Sequence, residues 1–290
     1  MHAKILSSSH GFQHSMTQKT ILITGCSTGI GYTCAQGMKA HGWKVIATAR
    51  KDEDIARLKS EGLTTFYLDY RDEASIKACF KAVMKETGGR LDALFNNGGY
   101  GLLGAVEDIN TDDLREQFES NFFGYHALTK LVIPIMREQM AGRIVQCSSV
   151  LGIVSGKHRA PYSATKHALE AFASSMRMEL KPWNIHVACI RPGPIETNFL
   201  ATSLKLLQQK IDLKNTAHKA DYEVSIGRMS KGGQSSPFKL SPDAVLKKLI
   251  HACEAKSPRP VYSVTKLTYI ADIMHRTLPT SLAERFFAKG

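Results

Sequence analysis

No run of about 18 apolar residues occurs in the 290-residue chain, which excludes a membrane-spanning helix. The six cysteines (Cys26, Cys34, Cys79, Cys147, Cys189 and Cys253) form no CxxC pair and have no metal-ligand spacing. No signal-peptide pattern precedes them, so the expectation is free thiols in a reducing, cytoplasmic compartment. Basic residues carry no interleaved aromatic stripe, which argues against nucleic acid as a partner. There is no G-x-S-x-G elbow, so Ser148, Ser149 and His158 with scattered aspartates do not read as a hydrolase triad. Acidic residues are in deficit, 26 against 38 basic, and the resulting charge of +12 suits an anionic ligand, an acidic partner protein or a membrane surface.

What is present is a regular alternation. Short apolar runs at residues 20–24, 44–49, 64–69, 91–97, 142–149 and 184–193 each precede a helical pattern, and "RPVYSV" reads as a last strand. Strands that are apolar throughout imply a parallel sheet buried on both faces, and right-handed crossovers make it doubly wound: an α/β, Rossmann-like fold. Residues 111–136 read as one long helix with Leu114, Phe118, Phe122, Tyr125 and Leu128 as its stripe. Residues 1–18 are expected to be a flexible extension, with Met16 just ahead of the first strand, and residues 19–290 the domain. Periodicity weakens over residues 199–240, read as a substrate loop or lid with the tip "SKGGQSS". Ser241 and Pro242 then mark a helix start, and residues 264–290 form a basic amphipathic tail that packs over the cleft, joins a subunit interface or lies on a membrane surface.

"TGCSTGIG" places Gly25, Gly29 and Gly31, with Ser27, Thr28 and Ile30 between and beside them, at the turn from first strand to first helix. Such a turn lets the backbone approach a pyrophosphate while the helix N-terminus offers free N–H donors. At the end of the second strand a carboxylate would take the ribose of NAD; here stands Ala49, followed by the cations Arg50 and Lys51, a combination that suits the 2′-phosphate of NADP. "YSATK" sets Tyr162 and Lys166 four residues apart, on one helix face. Taken alone these are a surface phenol and a solvated ammonium; held together in a cleft, the cation would lower the phenol's pKa and make it an acid/base. His167 reads as structural, His186 as core, and His158 as an exposed loop residue.

"TGCSTGIG", "NNGG" at 96–99, "SS" at 148–149, "YSATK" and "RPGPIET" at 191–197 occur in the order of the short-chain dehydrogenase/reductase family, which the chain resembles over roughly residues 19–199. "NFFG", "RMEL" and "PVYSVTKLT" resemble the branch of 17β-hydroxysteroid and retinol dehydrogenases and bacterial NADP-dependent aldehyde reductases. The resemblance implies Tyr162 as acid/base, Lys166 holding the nicotinamide ribose, Ser149 bonding the substrate oxygen, and Asn121 holding a water linked to Lys166. It further implies Asn97 and Gly98 lining the cofactor cleft, Asp69 at the adenine edge, and Pro192, Gly193, Ile195 and Thr197 against the nicotinamide. Gly98 stands where the family usually has Ala, which should loosen the turn. The expected activity is NADP(H)-dependent reduction of apolar aldehydes or ketones, steroid, retinoid or fatty in type, by a homo-oligomer. The alternatives are a 3-oxoacyl thioester reductase that docks an acidic carrier, and a non-catalytic NADPH-sensing protein.

Overall fold

The computed structural model describes residues 18–230 and 238–287. Seven parallel strands, β1 (Thr20–Ile23), β2 (Lys44–Ala49), β3 (Thr64–Tyr67), β4 (Ala93–Asn96), β5 (Gly142–Cys147), β6 (Ile185–Arg191) and β7 (Val261–Ser263), lie in the order β3-β2-β1-β4-β5-β6-β7. The side-chain period of two feeds two separate cores. Ile21, Ile23, Val45 and Ala47 pack on one face, while Leu22 and Ile46 enter the apolar layer on the other. Both layers need helical cover, which explains why most strand residues are apolar.

The first face is covered by α1 (Gly29–Ala40), α2 (Asp52–Ser60) and α9 (Asp243–Glu254). α1 and α9 approach so closely that a Cβ on Gly37 would lie 2.1 Å from Leu246 Cδ2. The second face carries α3 (Glu73–Thr87), α5 (Gly124–Glu138) and α6 (Ala160–Leu180). Residues 111–136 do not form the single helix expected. α4 (Thr111–Phe118) passes into a π-helical turn over Glu119–Phe123 before α5 begins. The wider turn buries Ser120 and Asn121 in mid-segment, a device common near functional sites.

Between the sixth and seventh strands, the stretch expected to be a substrate loop or lid holds α7 (Phe199–Lys210) and α8 (Lys219–Ser230), and the chain returns through a parallel bridge of Leu240 to Ile195. Most of the "SKGGQSS" tip lies outside the described residues, as do residues 1–17 of the expected extension. The tail folds as α10 (Lys266–Thr277) and α11 (Thr280–Phe287). Ala271 packs against Ile153 and Val154 at the cleft mouth, while Ile273, Leu282 and Phe286 stay exposed. A largely buried ion pair ties these parts together: Arg191 on β6 grips Glu170 of α6 in bidentate fashion (2.7 and 2.8 Å) and reaches Asp272 of α10 at 3.1 Å. Among the described residues no helix is long and apolar enough to cross a membrane. His186, expected in the core, is only half-buried on β6, where its ring meets Asn184 Oδ1 at 3.1 Å.

Candidate active site

Strand order reverses between β1 and β4, and in open α/β sheets ligands bind at the carboxyl ends of the strands flanking such a point. A cleft of about 550 Å³ opens there. Its floor is the glycine-rich turn. Gly25 (φ 68°) lies against Gly98, where an added Cβ would come within 2.4 Å of the Gly98 Cα. Gly31 faces inward instead of lining the cleft: its Cβ would meet the Gly25 carbonyl at 2.2 Å. Arg57 holds the loop from outside, donating from Nη2 to the Ser27 carbonyl at 2.6 Å. Asn97 ties β4 to the same turn through Nδ2 to Thr24 O (2.9 Å) and Gly25 O (3.3 Å).

Gly25, Ser27, Thr28, Gly29, Ile30, Arg50, Asp69, Asn97, Gly98, Pro192, Gly193, Ile195 and Thr197 all border this cleft, together with Ser149, Tyr162 and Lys166. The glycine floor leaves backbone where side chains would otherwise stand, and the N-terminus of α1 opens onto it. These features fit the pyrophosphate of a dinucleotide. Lys51 does not share the cleft. Its ammonium pairs with Glu53 at 3.3 Å on the exposed start of α2, because an acidic first helical turn competes for it. Arg50 keeps its place at the rim, 4.0 Å from Asp69, whose carboxylate also pairs with Arg71 at 2.8 Å. Burial works against the Asp69 carboxylate, but the Arg71 guanidinium outweighs it and holds the pKa below the usual range.

At the far end, Tyr162 and Lys166 occupy successive turns of α6, and Ser149 caps the short turn after β5. Ser149 and Tyr162 both border the cleft, and the Phe199 ring of α7 lies 5.3 Å from that of Tyr162. Ser148, the other serine of the pair, also borders the cleft, but its Oγ has no hydrogen-bond partner among the described residues. The Lys166 ammonium donates to the Cys147 carbonyl at 2.7 Å and lies 5.6 Å from the centre of the Tyr162 ring. Its hydrogen bond thus goes to a backbone carbonyl, with the ammonium against the face of the Tyr162 ring. Burial pushes Tyr162 well above an ordinary tyrosine, with Ser149 and the nearby Arg159 guanidinium pulling the other way. Burial likewise lowers Lys166.

Asn121 stands behind the cleft. Its amide clamps the Tyr100 backbone, donating to the carbonyl at 2.8 Å and accepting from the N–H at 3.2 Å, with Thr165 Oγ1 at 3.5 Å. Direct contact with Lys166 is not part of that arrangement. His158, expected to be exposed, is half-buried, and its ring stacks on Tyr222 at 4.9 Å. Sequence reasoning missed Tyr100, Leu151, Arg159, Lys239 and Leu267, which close the cleft from loops and tail. Arg159 stood one helical turn before Tyr162, and that i, i+3 relation was the available signal.

A nucleotide-binding parallel sheet with a serine, tyrosine and lysine at the end of its cleft defines a class of oxidoreductases. Residues 19–206 match the family described as short chain dehydrogenase, and the chain belongs to it. It is 35% identical over 268 residues to an uncharacterized oxidoreductase of Escherichia coli, YbbO, covering 92% of this chain and 93% of that one. Bovine (Bos taurus) retinol dehydrogenase 8 is 35% identical over 202 residues, 66% of this chain and 62% of that protein. A serine dehydrogenase solved in its closed form with NADP+ superposes with a TM-score of 0.73 at 25% identity, covering 86% of this chain and 95% of that one. The protein is an oxidoreductase of this family.

Proposed function

We propose that the chain interconverts aldehydes or ketones and alcohols with NADP(H), acting in the reductive direction on substrates with an apolar body. The observation that carries this reading is that Ser149 and Tyr162 face one cleft, with Lys166 one turn further along α6. A bound nicotinamide supplies or takes up the hydride. The residues of the chain do the rest. Ser149 donates a hydrogen bond to the substrate oxygen, and Tyr162 delivers the phenolic proton to that oxygen as negative charge develops on it. Lys166, anchored on the Cys147 carbonyl, keeps a positive charge beneath the phenol and within reach of a ribose hydroxyl. Asn121 sets the Tyr100 loop against the helix that bears Tyr162 and Lys166. Val150, Leu151, Phe199, Leu200 and Leu267 supply apolar wall, which suits a hydrocarbon portion.

Arg159 adds a cation to that wall, and no hydrogen bond or ion pair of its guanidinium is found among the described residues. A charge held there at the expense of its hydration favours a ligand that supplies the counter-charge. The preferred substrates are accordingly carbonyl compounds of fatty type that also bear a carboxylate. NADP is favoured over NAD by Ala49 in place of a carboxylate, with Arg50 beside it. The relative solved with NADP+ supports the same preference.

The test is a carbonyl panel run with NADPH and NADH side by side on the parent and Arg50→Ala. Hydrogen bonds to a charged group contribute about 1.5–3 kcal/mol, so the variant should lose roughly 10- to 150-fold in kcat/KM with NADPH and little with NADH. Equal use of both cofactors by the parent would overturn the NADP assignment.

A further inference from the structure

Outside the reaction cleft, the loop leading into α6 meets the start of the lid helix α8 at a cluster of side chains. One ligating atom from each of His158, His218 and Asp221 lies within 4.8 Å of the other two. His158 adopts φ 60°, the left-handed region that side-chain-bearing residues seldom occupy. Its ring is stacked on Tyr222, and its Nε2 is buried without a hydrogen-bond partner among the described residues. Tyr222 is itself fixed, donating to Asp108 at 2.8 Å and accepting from the Ala105 N–H at 2.6 Å. Strained backbone and an unpaired buried nitrogen are both costly, and such features persist where they serve a ligand.

His218 completes the pattern. Its Nε2 lies 2.6 Å from Glu107 Oε1. A carboxylate can only accept there, so in the neutral ring the proton is on Nε2 and Nδ1 carries the lone pair. That Nδ1 lies 4.0 Å from Asp221 Oδ2. An imidazole oriented by a carboxylate on its far nitrogen is the usual support of a metal-bound histidine.

The geometry points to a zinc site made by His158, His218 and Asp221, clasping the lid to the loop before the catalytic helix. Two imidazoles and one carboxylate are ligands that zinc takes at about 2.0–2.2 Å, with water in a fourth position. Magnesium and calcium prefer oxygen alone. Tetrahedral ligands at those bond lengths stand roughly 3.4 Å apart, so the three groups must close by about 1 Å, within reach of side-chain rotation. Lys157, now 2.5 Å from Asp221, must leave; its side chain is half exposed and can turn into water. His218 directly precedes α8, Asp221 lies in its first turn, and His158 stands four residues before Tyr162. A metal here would hold the lid shut over the entrance.

The experiment is calorimetric titration of the EDTA-stripped full chain with Zn²⁺, so its readout needs no turnover and is independent of the proposed reaction. His2, His10 and His14 supply a background that variants of this cluster do not alter. The expected result is one saturable site per chain, abolished in His158→Asn and in His218→Ala. It should weaken about 10- to 100-fold in Glu107→Gln. Lys157→Ala, which removes a competitor from the surface, should tighten it and guards against misfolding as the cause of any loss. A parent chain with no saturable site would overturn the proposal. So would a site of parental affinity in both histidine variants.

Discussion

The two ends of the cleft are built on different terms. Around the glycine turn, backbone packs on backbone: Gly25 against Gly98, Gly31 against the Gly25 carbonyl, with Thr24 Oγ1 accepting from the N–H groups of Asn97 (2.9 Å) and Gly98 (3.2 Å). Gly25 and Gly31 cannot be enlarged without moving backbone, whereas a Cβ on Gly98 would lie 3.3 Å from Gly25 and need only a small shift. The lid, by contrast, rests on a small apolar cluster of Leu103, Ala105, Leu207, Ile211 and Tyr222 and on side-chain contacts at its edge. Those include Lys210 with Asp113 at 2.6 Å and Tyr222 and Thr216 with Asp108 at 2.8 and 2.7 Å. One end is a fixed template for a ligand of constant shape. The other is a wall of two helices held by a small apolar cluster and individually weak side-chain bonds.

A matched pair of substitutions breaks the comparison most sharply. Gly31→Ala forces a Cβ to within 2.2 Å of a carbonyl, whereas Gly227 in α8 has nothing within 4 Å of its Cβ position. Overpacking costs about 1–3 kcal/mol, so Gly31→Ala should weaken NADPH binding roughly 10- to 100-fold in a fluorescence titration. Gly227→Ala should leave it unchanged and raise the stability of α8 slightly.

Next come the lid's polar anchors. Tyr222→Phe removes hydrogen bonds contributing about 0.5–1.5 kcal/mol each. With both bonds lost, KM for substrate should rise by up to roughly 5- to 150-fold, with cofactor affinity unaltered. Burial works against the Asp108 carboxylate, but its bonds from Thr216 and Tyr222 prevail and hold its pKa below the ordinary carboxylate range. A depressed folded pKa gives stability that is present above the unfolded value and lost as pH falls through the folded one. Protection of α8 from protease should thus fade in that acid window, and should fade less steeply in Asp108→Asn, which lacks the titrating group.

A smaller effect separates substrates. Arg159→Met should raise KM several-fold for a carboxylate-bearing aldehyde and leave a neutral aldehyde of equal length unchanged; an equal rise for both would mean Arg159 only packs. The last prediction is a pH profile. Because burial raises the Tyr162 phenol, it stays protonated through neutral pH. Carbonyl reduction, which uses the proton, should hold steady into the alkaline range. Alcohol oxidation, which needs the phenolate, should climb with pH across the same interval.

The same division governs what could be read from sequence. Strands such as "TILI" and "KVIATA" announce themselves because both faces are buried, and the glycine turn because close backbone approach admits few residues. The glycine turn, the Arg50 cation and the family resemblance together point to positions from Gly25 to Thr197 that border the cleft, Gly31 and Lys51 excepted. Lys51 failed because the acidic turn Asp52, Glu53 and Asp54 claims it, a local competition that a motif does not weigh. The π turn at Glu119–Phe123 was invisible because one extra residue in a turn leaves an apolar stripe almost unchanged. Lys166 illustrates a different limit: spacing puts it on the face of Tyr162, but only the position of the Cys147 carbonyl decides where its ammonium goes. Lys239 lines the cleft from a stretch of weak periodicity, and Leu267 from the amphipathic tail, whose pattern does not say which apolar position turns inward.

The most direct measurement is NADPH oxidation by Tyr162→Phe with the best substrate of the panel, alongside NADPH binding by the same variant. With the phenol as proton donor, turnover falls by about 10²- to 10⁴-fold while cofactor affinity is unchanged. Turnover at the parental rate would contradict the account.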